Sequence, residues 1–245
     1  MQNYLYVSET DSTNGLMKAN LRKENLPHGS VIHTGFQTAG RGQGTNSWES
    51  ALNKNLLFSL LLRPQHIEPA NYFLISQMIS VGILRVLQGL VNLEQAKYFS
   101  IKWPNDIYWQ DKKIGGILIE NSLQGKAIQY SICGIGININ QHNFISDAPN
   151  PISLSQITGE AYDVDFLLNK FTTSILEVYN LPMPVIQRIY HESLYRNKGY
   201  HPFKTTKFTF CARIVEVKSD GSLILEDEDK VQTAYYFKEI AFVIN

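Results

Sequence analysis

Apolar residues along this chain fall into blocks whose period switches between that of a helix and that of a strand. Leu74, Met78, Val81, Leu84, Leu87 and Val91 recur at steps of three and four, predicting one buried face of a helix opened by Pro69 and running to about Val91. Leu167, Phe171, Ile175 and Val178 set a second helical face over 163–179, and a third helix is expected over 184–195. The N-cap cluster Asp11-Ser12-Thr13-Asn14 starts a short helix in the segment up to Pro27. Strands are expected over 31–37, 55–63, 98–103, 107–109, 114–120 and 130–139, with Gln110-Asp111-Lys112-Lys113 as a hairpin turn. From 38 to 54 the chain is polar and holds three glycines, which reads as a long loop. A further loop carries Pro149 and Pro151.

After Tyr200-His201-Pro202 the pattern becomes that of short strands, over 207–217 and 223–225, joined by the turn Ser219-Asp220-Gly221. Two units are therefore expected, a larger one over 1–200 and a small all-β one over 201–245.

Composition narrows the function. With 245 residues, 44% of them apolar, the chain can bury a sizeable core. Basic and acidic side chains balance at 22 each, so no general nucleic-acid footprint is present. Cys133 and Cys211 lie far apart in apolar runs and read as buried thiols of a reducing compartment. The first residues lack the basic-then-apolar pattern of an export signal, and the greasy run 56–62 is too short to span a bilayer. A cytoplasmic protein without a membrane partner is expected.

Two segments carry candidate chemistry. Gly40-Arg41-Gly42-Gln43-Gly44 offers backbone N–H groups freed of side chains and a planar guanidinium, a combination suited to a carboxylate or phosphate. It is not a nucleotide P-loop, because no Gly-Lys-Ser/Thr closes it. In Lys102-Trp103-Pro104-Asn105-Asp106, Pro104 favours an extended Trp103, placing Lys102 and Pro104 on one face. A lysine there needs an anion if it is buried, and both a ligand and an internal pair with Asp106 satisfy that need. Gly115-Gly116 and Gly134-x-Gly136 interrupt apolar strands, where glycine serves close approach of a ligand or backbone, or marks a bulge.

These segments, taken in order with Phe36-Gln37-Thr38-Ala39, Trp48-Glu49-Ser50, Lys113-Ile114-Gly115-Gly116-Ile117-Leu118-Ile119-Glu120 and Gly134-Ile135-Gly136-Ile137-Asn138, resemble the motifs of biotin protein ligases. The resemblance implies an α+β fold, with a mixed, mainly antiparallel sheet covered by helices and a small C-terminal SH3-like β-barrel. It implies ATP-dependent formation of biotinyl-5′-AMP and transfer of biotin to a lysine of a biotin carboxyl carrier protein. Lys102 and Arg41 would be catalytic. Ser12, Thr13, Asn14, Gln37, Gly40, Arg41, Gly42, Gln43, Lys102, Gly116, Gly134 and Gly136 would line the biotin site, and Arg41, Trp48, Lys102 and Asn138 the nucleotide site. Mg²⁺ is expected with the triphosphate.

Where many members of that family carry a second arginine and further basic residues, this chain has Gln43, Gly44, Thr45, Asn46 and Ser47. Only one permanent charge remains in the loop. Asp106 is a candidate base for the transfer step. A lipoate-type ligase is disfavoured by the Lys-Trp-Pro-Asn-Asp element, and a non-catalytic biotin binder by the cations. A DNA-binding repressor is disfavoured because the motifs begin by residue 11. Monomer and homodimer are both open, with 130–139 as the strand expected to offer a pairing edge.

Overall fold

The computed structural model describes residues 3–145 and 150–244. Seven strands form the main sheet: β1 (Tyr4–Thr10), β2 (Val31–Gln37), β3 (Leu56–Leu62), β4 (Phe99–Lys102), β5 (Asp106–Trp109), β6 (Lys112–Gln124) and β7 (Ala127–Ile137). Their order is β1-β2-β3-β7-β6-β5-β4, parallel only between β1 and β2 and antiparallel elsewhere. The helices are α1 (Thr13–Leu21), α2 (Phe73–Gly89), α3 (Leu93–Ala96), α4 (Leu154–Thr158), α5 (Val164–Tyr179) and α6 (Met183–Glu192). The fold is mixed α+β, as expected, and no helix among the described residues is long and apolar enough to cross a membrane.

The period of two in β3 decides what each face of the sheet does. Leu56, Phe58, Leu60 and Leu62 join the main core with residues of α2 and α5, whereas Leu61 packs with Met17 of α1 and Ile132 of β7 in a smaller cluster. Burying each such side chain contributes roughly 1.5–3 kcal/mol. A polar residue in that strand must therefore be hydrogen-bonded, and Ser59, fully buried on the α1 side, is. Gly82 lets α2 and α5 approach closely: a Cβ there would lie 2.7 Å from the Ile175 Cα.

Residues 201–242 form a second antiparallel sheet of β8 (His201–Lys204), β9 (Thr209–Val217), β10 (Leu223–Asp227), β11 (Gln232–Tyr235) and β12 (Ala241–Phe242), in the order β11-β10-β9-β8-β12. This agrees with a small SH3-like unit, although among the described residues the edge strands β11 and β12 do not pair and no barrel closes. The hairpin before β10 locks it to the main sheet. Trp103 Nε1 donates to the Gly221 carbonyl at 2.8 Å, the Tyr72 hydroxyl donates to the Asp220 carbonyl at 2.7 Å, and Phe73 lies against Gly221. Phe203, Leu223, Leu225 and Phe242 belong to the same apolar core as α2.

Several expectations change. Strand β1 carries no clear alternation because its burial follows an edge position, with Leu5 and Tyr6 exposed. Helix α1 ends at Leu21, short of Pro27. Pro69 opens a 3₁₀ turn, Pro69–Asn71, and the α-helix proper begins at Phe73. The extended chain expected through Pro104 is instead a hairpin turn at 103–105 with a cis Trp103–Pro104 peptide, pairing Lys102 with Asp106 across β4 and β5. Strand β7 is interior, between β3 and β6, so 130–139 offers no pairing edge. Cys133 is buried but Cys211 is exposed. Pro149 lies outside the described residues.

Candidate active site

Alternation in β3, β6 and β7 brings Ser59, Gly116, Leu118, Glu120, Gly134 and Gly136 to the α1 side of the sheet. The register pairs Ser59 with Gly134, Gly116 with Gly136, and Gly116 again with Asp106 of β5. Above this patch is a cavity of about 390 Å³, walled by α1, the 40–48 loop, the 102–106 hairpin and the 237–242 segment. It collects Ser12, Thr13, Asn14, Gln37, Arg41, Gly42, Gln43, Trp48, Lys102, Gly116, Gly134 and Gly136 of the expected residues. Gly40 and Asn138 are not on its wall. Asn138 is buried, with its amide donating to the Ile152 carbonyl at 3.2 Å.

One end of the cavity is neutral and hydrogen-bonded. Ser12 caps α1 by accepting from the Gly15 N–H, and so aims the first turn at the sheet. The Thr13 N–H donates to Gln37 Oε1 at 2.9 Å, and Ser59 Oγ lies 2.8 Å from Thr13 Oγ1 and 2.6 Å from Asn14 Oδ1. Asn14 Nδ2 donates to Glu120 Oε2 at 2.8 Å. Gln37 Nε2 donates to no protein group among the described residues, leaving an amide donor beside the cavity. Gly134 is required by this cluster, since a Cβ would lie 2.5 Å from Asn14 Oδ1.

The other end is ionic. Lys102 Nζ is 5.2 Å from the ring centroids of both Tyr108 and Phe242, and it makes no ion pair among the described residues. Asp106, its candidate internal partner, is taken by Lys113 at 2.7 Å. Burial pushes the Lys102 pKa below the usual lysine range, the Asp106 charge opposing that shift and Lys113 adding to it. Arg41 Nη2 lies 3.4 Å from Glu120 Oε2, and the same carboxylate binds Lys18 Nζ at 2.6 Å. Burial raises the Glu120 pKa, but hydrogen bonds from Lys18 and Asn14 and the nearby Arg41 more than offset it, so the net shift is downward. Asp106, the candidate base, is held in an ion pair with Lys113 in this structure.

The loop differs from an open nest of donors. The Gly42 N–H is used on the Asn46 carbonyl at 2.7 Å and the Trp48 N–H on the Gly40 carbonyl at 2.9 Å, closing 40–48 into a small hairpin. The glycine floor is also covered: a Cβ on Gly136 would lie 2.5 Å from Trp48 Cε2, and one on Gly116 would lie 2.9 Å from Trp48 Cζ3. Glycine at both positions is what lets the indole lie flat on the strands. Trp48 Nε1 and Gln43 Oε1, both on the cavity wall, are buried without a protein hydrogen-bond partner. Buried polar atoms are normally satisfied, so these two point to a ligand or water.

Sequence reasoning passed over Lys113, Glu120, Ser59 and the 237–242 wall. Ser59 had a signal, as the lone polar residue of an all-buried strand. Lys113 was hidden inside a polar turn, and nothing local announces that 237–242 meets a cavity 200 residues upstream. No cluster of three His, Cys, Asp or Glu side chains suited to a metal occurs among the described residues. The cavity's Asp106 and neighbouring Glu120 are each ion-paired, with Lys113 and Lys18.

A model of the biotin/lipoate A/B protein ligase family matches residues 6–138. The bifunctional ligase/repressor BirA of Bacillus spizizenii is 26% identical over 96% of this chain and 73% of its own length. A biotin–[acetyl-CoA-carboxylase] ligase of Paracoccus denitrificans is 30% identical over 66% of this chain and 67% of its own length. Biotin protein ligase from Aquifex aeolicus, solved in complex with biotin and ATP, superposes over the whole of both chains with a TM-score of 0.79 at 24% identity, a likeness of fold.

Proposed function

We propose that this chain, which belongs to the biotin/lipoate A/B protein ligase family and within it to the biotin protein ligases, forms biotinyl-5′-AMP and passes the biotinyl group to a carrier lysine. The observation that carries the reading is the polarity of one cavity, neutral and hydrogen-bonded at Thr13, Gln37 and Ser59, cationic at Arg41, Lys102 and Lys113. Biotin has the same polarity, with a neutral ureido ring at one end and a carboxylate at the other. Its ureido group would take the free Gln37 amide donor and the α1 cluster, with Ser12, Thr13 and Asn14 fixing its orientation.

The carboxylate then lies toward Lys102. In the first step a carboxylate oxygen attacks the α-phosphorus of MgATP, the bond to the β-phosphate oxygen breaks, and pyrophosphate leaves with the electron pair. Two anions must approach, so the main task of the chain is to neutralise charge. Lys102 and Lys113 flank Asp106 and supply two cations at that meeting point. Arg41 closes over the adenylate from the loop, and Trp48 offers its indole face to the adenine. In the second step the acceptor amine, having lost its proton to solvent, attacks the acyl carbon of the mixed anhydride. The acyl–oxygen bond breaks and AMP leaves with the electron pair, a reaction that positioning of an activated acyl group can support without a dedicated base.

The acceptor is a biotin carboxyl carrier protein or domain, and neither a nucleic acid nor a membrane has a part in the reaction. Residues 1–200 form the catalytic unit and 201–245 the SH3-like unit that walls it. The reaction is assigned to the cytoplasm, with the protein acting as a monomer or homodimer. Two measurements test this. Biotin-dependent pyrophosphate exchange should appear with ATP and should not appear when lipoate replaces biotin. Mass spectrometry of a carrier domain incubated with the protein, MgATP and biotin should show a gain of one biotinyl group. An exchange reaction driven by lipoate alone would overturn the substrate assignment.

A further inference from the structure

Four basic side chains reach the cavity wall: Arg41, Lys102, Lys113 and Lys238. Two are matched locally, Arg41 by Glu120 and Lys113 by Asp106. Lys102 and Lys238 have no ion pair among the described residues, and each lies against aromatic rings, Lys102 with the charge of Asp106 also acting on it. They come from opposite walls. Lys102 ends β4 of the main sheet, whereas Lys238 sits in the turn between β11 and β12 of the small one.

Lys238 is held in an unusual backbone state. Its φ is +74°, in the left-handed region where glycine would sit without penalty. Facing it is Gly44, also left-handed at φ +69°, at the tip of the 40–48 hairpin. A Cβ on Gly44 would meet Lys238 Nζ at 2.7 Å and Cε at 3.1 Å. The two turns therefore touch tip to tip at the cavity, and the side chain lying across the contact is a cation. The Gln43–Ser47 stretch it covers contributes no basic residue of its own, and the one arginine of that loop already shares Glu120. Lys238 therefore brings to this loop tip a positive charge that no carboxylate among the described residues holds.

We infer that Lys238 binds the β- and γ-phosphates of ATP, as a cation lent by the C-terminal sheet to a loop that lacks its own. The inference rests on the adenylation reading above. As the bond from the α-phosphorus to the β-phosphate oxygen breaks, negative charge grows on the departing pyrophosphate, and a lysine at that position favours the departure. Half-buried Lys102 lies inward between the Tyr108 and Phe242 rings, at the reacting carboxylate. Exposed Lys238 stands where the polyphosphate reaches solvent and pyrophosphate must exit.

The test is biotin-dependent pyrophosphate exchange by the wild type, Lys238→Gln and Lys238→Arg, with MgATP, pyrophosphate and biotin each varied in turn. Because Lys238 is exposed, the variants are expected to fold. Lys238→Gln should raise the KM for ATP and for pyrophosphate by about fivefold, the scale of one partly solvated charge contact. The KM for biotin should stay put, and Lys238→Arg should restore the wild-type values. Unchanged ATP and pyrophosphate constants in Lys238→Gln, with the wild type active, would overturn the role of Lys238 and leave the ligase reading intact. A parallel rise in the biotin constant would also overturn it, by showing a general loosening of the cavity. No biotin-dependent exchange in the wild type would overturn both readings together.

Discussion

The two ends of the cavity are built on opposite principles. At the α1 end, Ser12, Thr13, Asn14 and Ser59 are each at most 6% exposed and their hydrogen bonds are made before any ligand arrives. At the loop end, cations stand half-buried or exposed, two held by carboxylates and two beside aromatic rings without an ion pair among the described residues. A neutral ligand group gains little unless its partners are pre-oriented, because each hydrogen bond it forms replaces one to water. A charged group is served differently. Cations that are only partly solvated bind an arriving anion strongly, at the cost of being held near one another beforehand. The first end therefore selects, and the second end reacts.

The sharpest way to break that division is to remove a cation. Lys102→Ala and Lys113→Ala should each lower the adenylation rate by on the order of a hundredfold, the scale of one well-placed electrostatic group. Biotin affinity, measured by calorimetry, should change far less. Wild-type adenylation rates in Lys102→Ala would remove that residue from the reaction. The pH dependence carries the same sign. Lys102 acts as a cation and burial lowers its pKa, so adenylation should be full below that pKa and fall as pH rises through it, earlier than for an ordinary lysine. Lys102→Arg keeps its charge throughout and should flatten that alkaline limb.

Changes at the neutral end should show the reverse pattern. Ser59→Ala removes a buried hydroxyl that bridges Thr13 and Asn14. The cost is about 1–1.5 kcal/mol for a lost buried hydrogen bond, or roughly a tenfold weaker KM for biotin. The turnover rate at saturating biotin should hold. A variant that kept its biotin KM but lost turnover would mean that the two ends do not divide the work as described.

The two ends also differ in how legible they were. Most residues of the neutral end, Ser59 excepted, were readable because local rules place them: an N-cap cluster starts α1, and the period of two puts Gly134 and Gly136 on one face. The cationic end depends on long-range placement. Lys102 was identified, yet its pairing was not, because the turn at 103–105 gives Asp106 to Lys113 rather than to Lys102. The glycine pairs were recognised as a place of close approach, but the group that approaches Gly116 and Gly136 in this structure is Trp48, 68 and 88 residues away in sequence, while Asn14 approaches Gly134. The β6–β7 register that joins Gly116 to Gly136 depends on strand pairing, which no local window encodes. The apolar repeats of α2 and α5, by contrast, were legible as helices, although α2 runs only from Phe73 to Gly89 and is buried on nearly all sides rather than along one stripe.

Glu120 joins the two ends, and so provides the mildest test. Its carboxylate accepts from Asn14 on the neutral side and meets Arg41 and Lys18 on the charged side. Its net pKa lies below the usual carboxylate range, so its ionised form stabilises the fold at pH values above the unfolded pKa. That stabilisation should fade as pH falls through the lowered folded pKa. In Glu120→Gln the amide still reaches Asn14, but the charge is gone. The variant should melt at a lower temperature than the wild type near pH 7, by an amount equivalent to no more than about 1 kcal/mol because the pairs are partly solvated. The two melting curves should converge in acid, below the carboxylate range. A gap that persisted unchanged at low pH would assign the effect to packing rather than charge, and would mean that Arg41 is not tethered through Glu120 to the end that holds biotin.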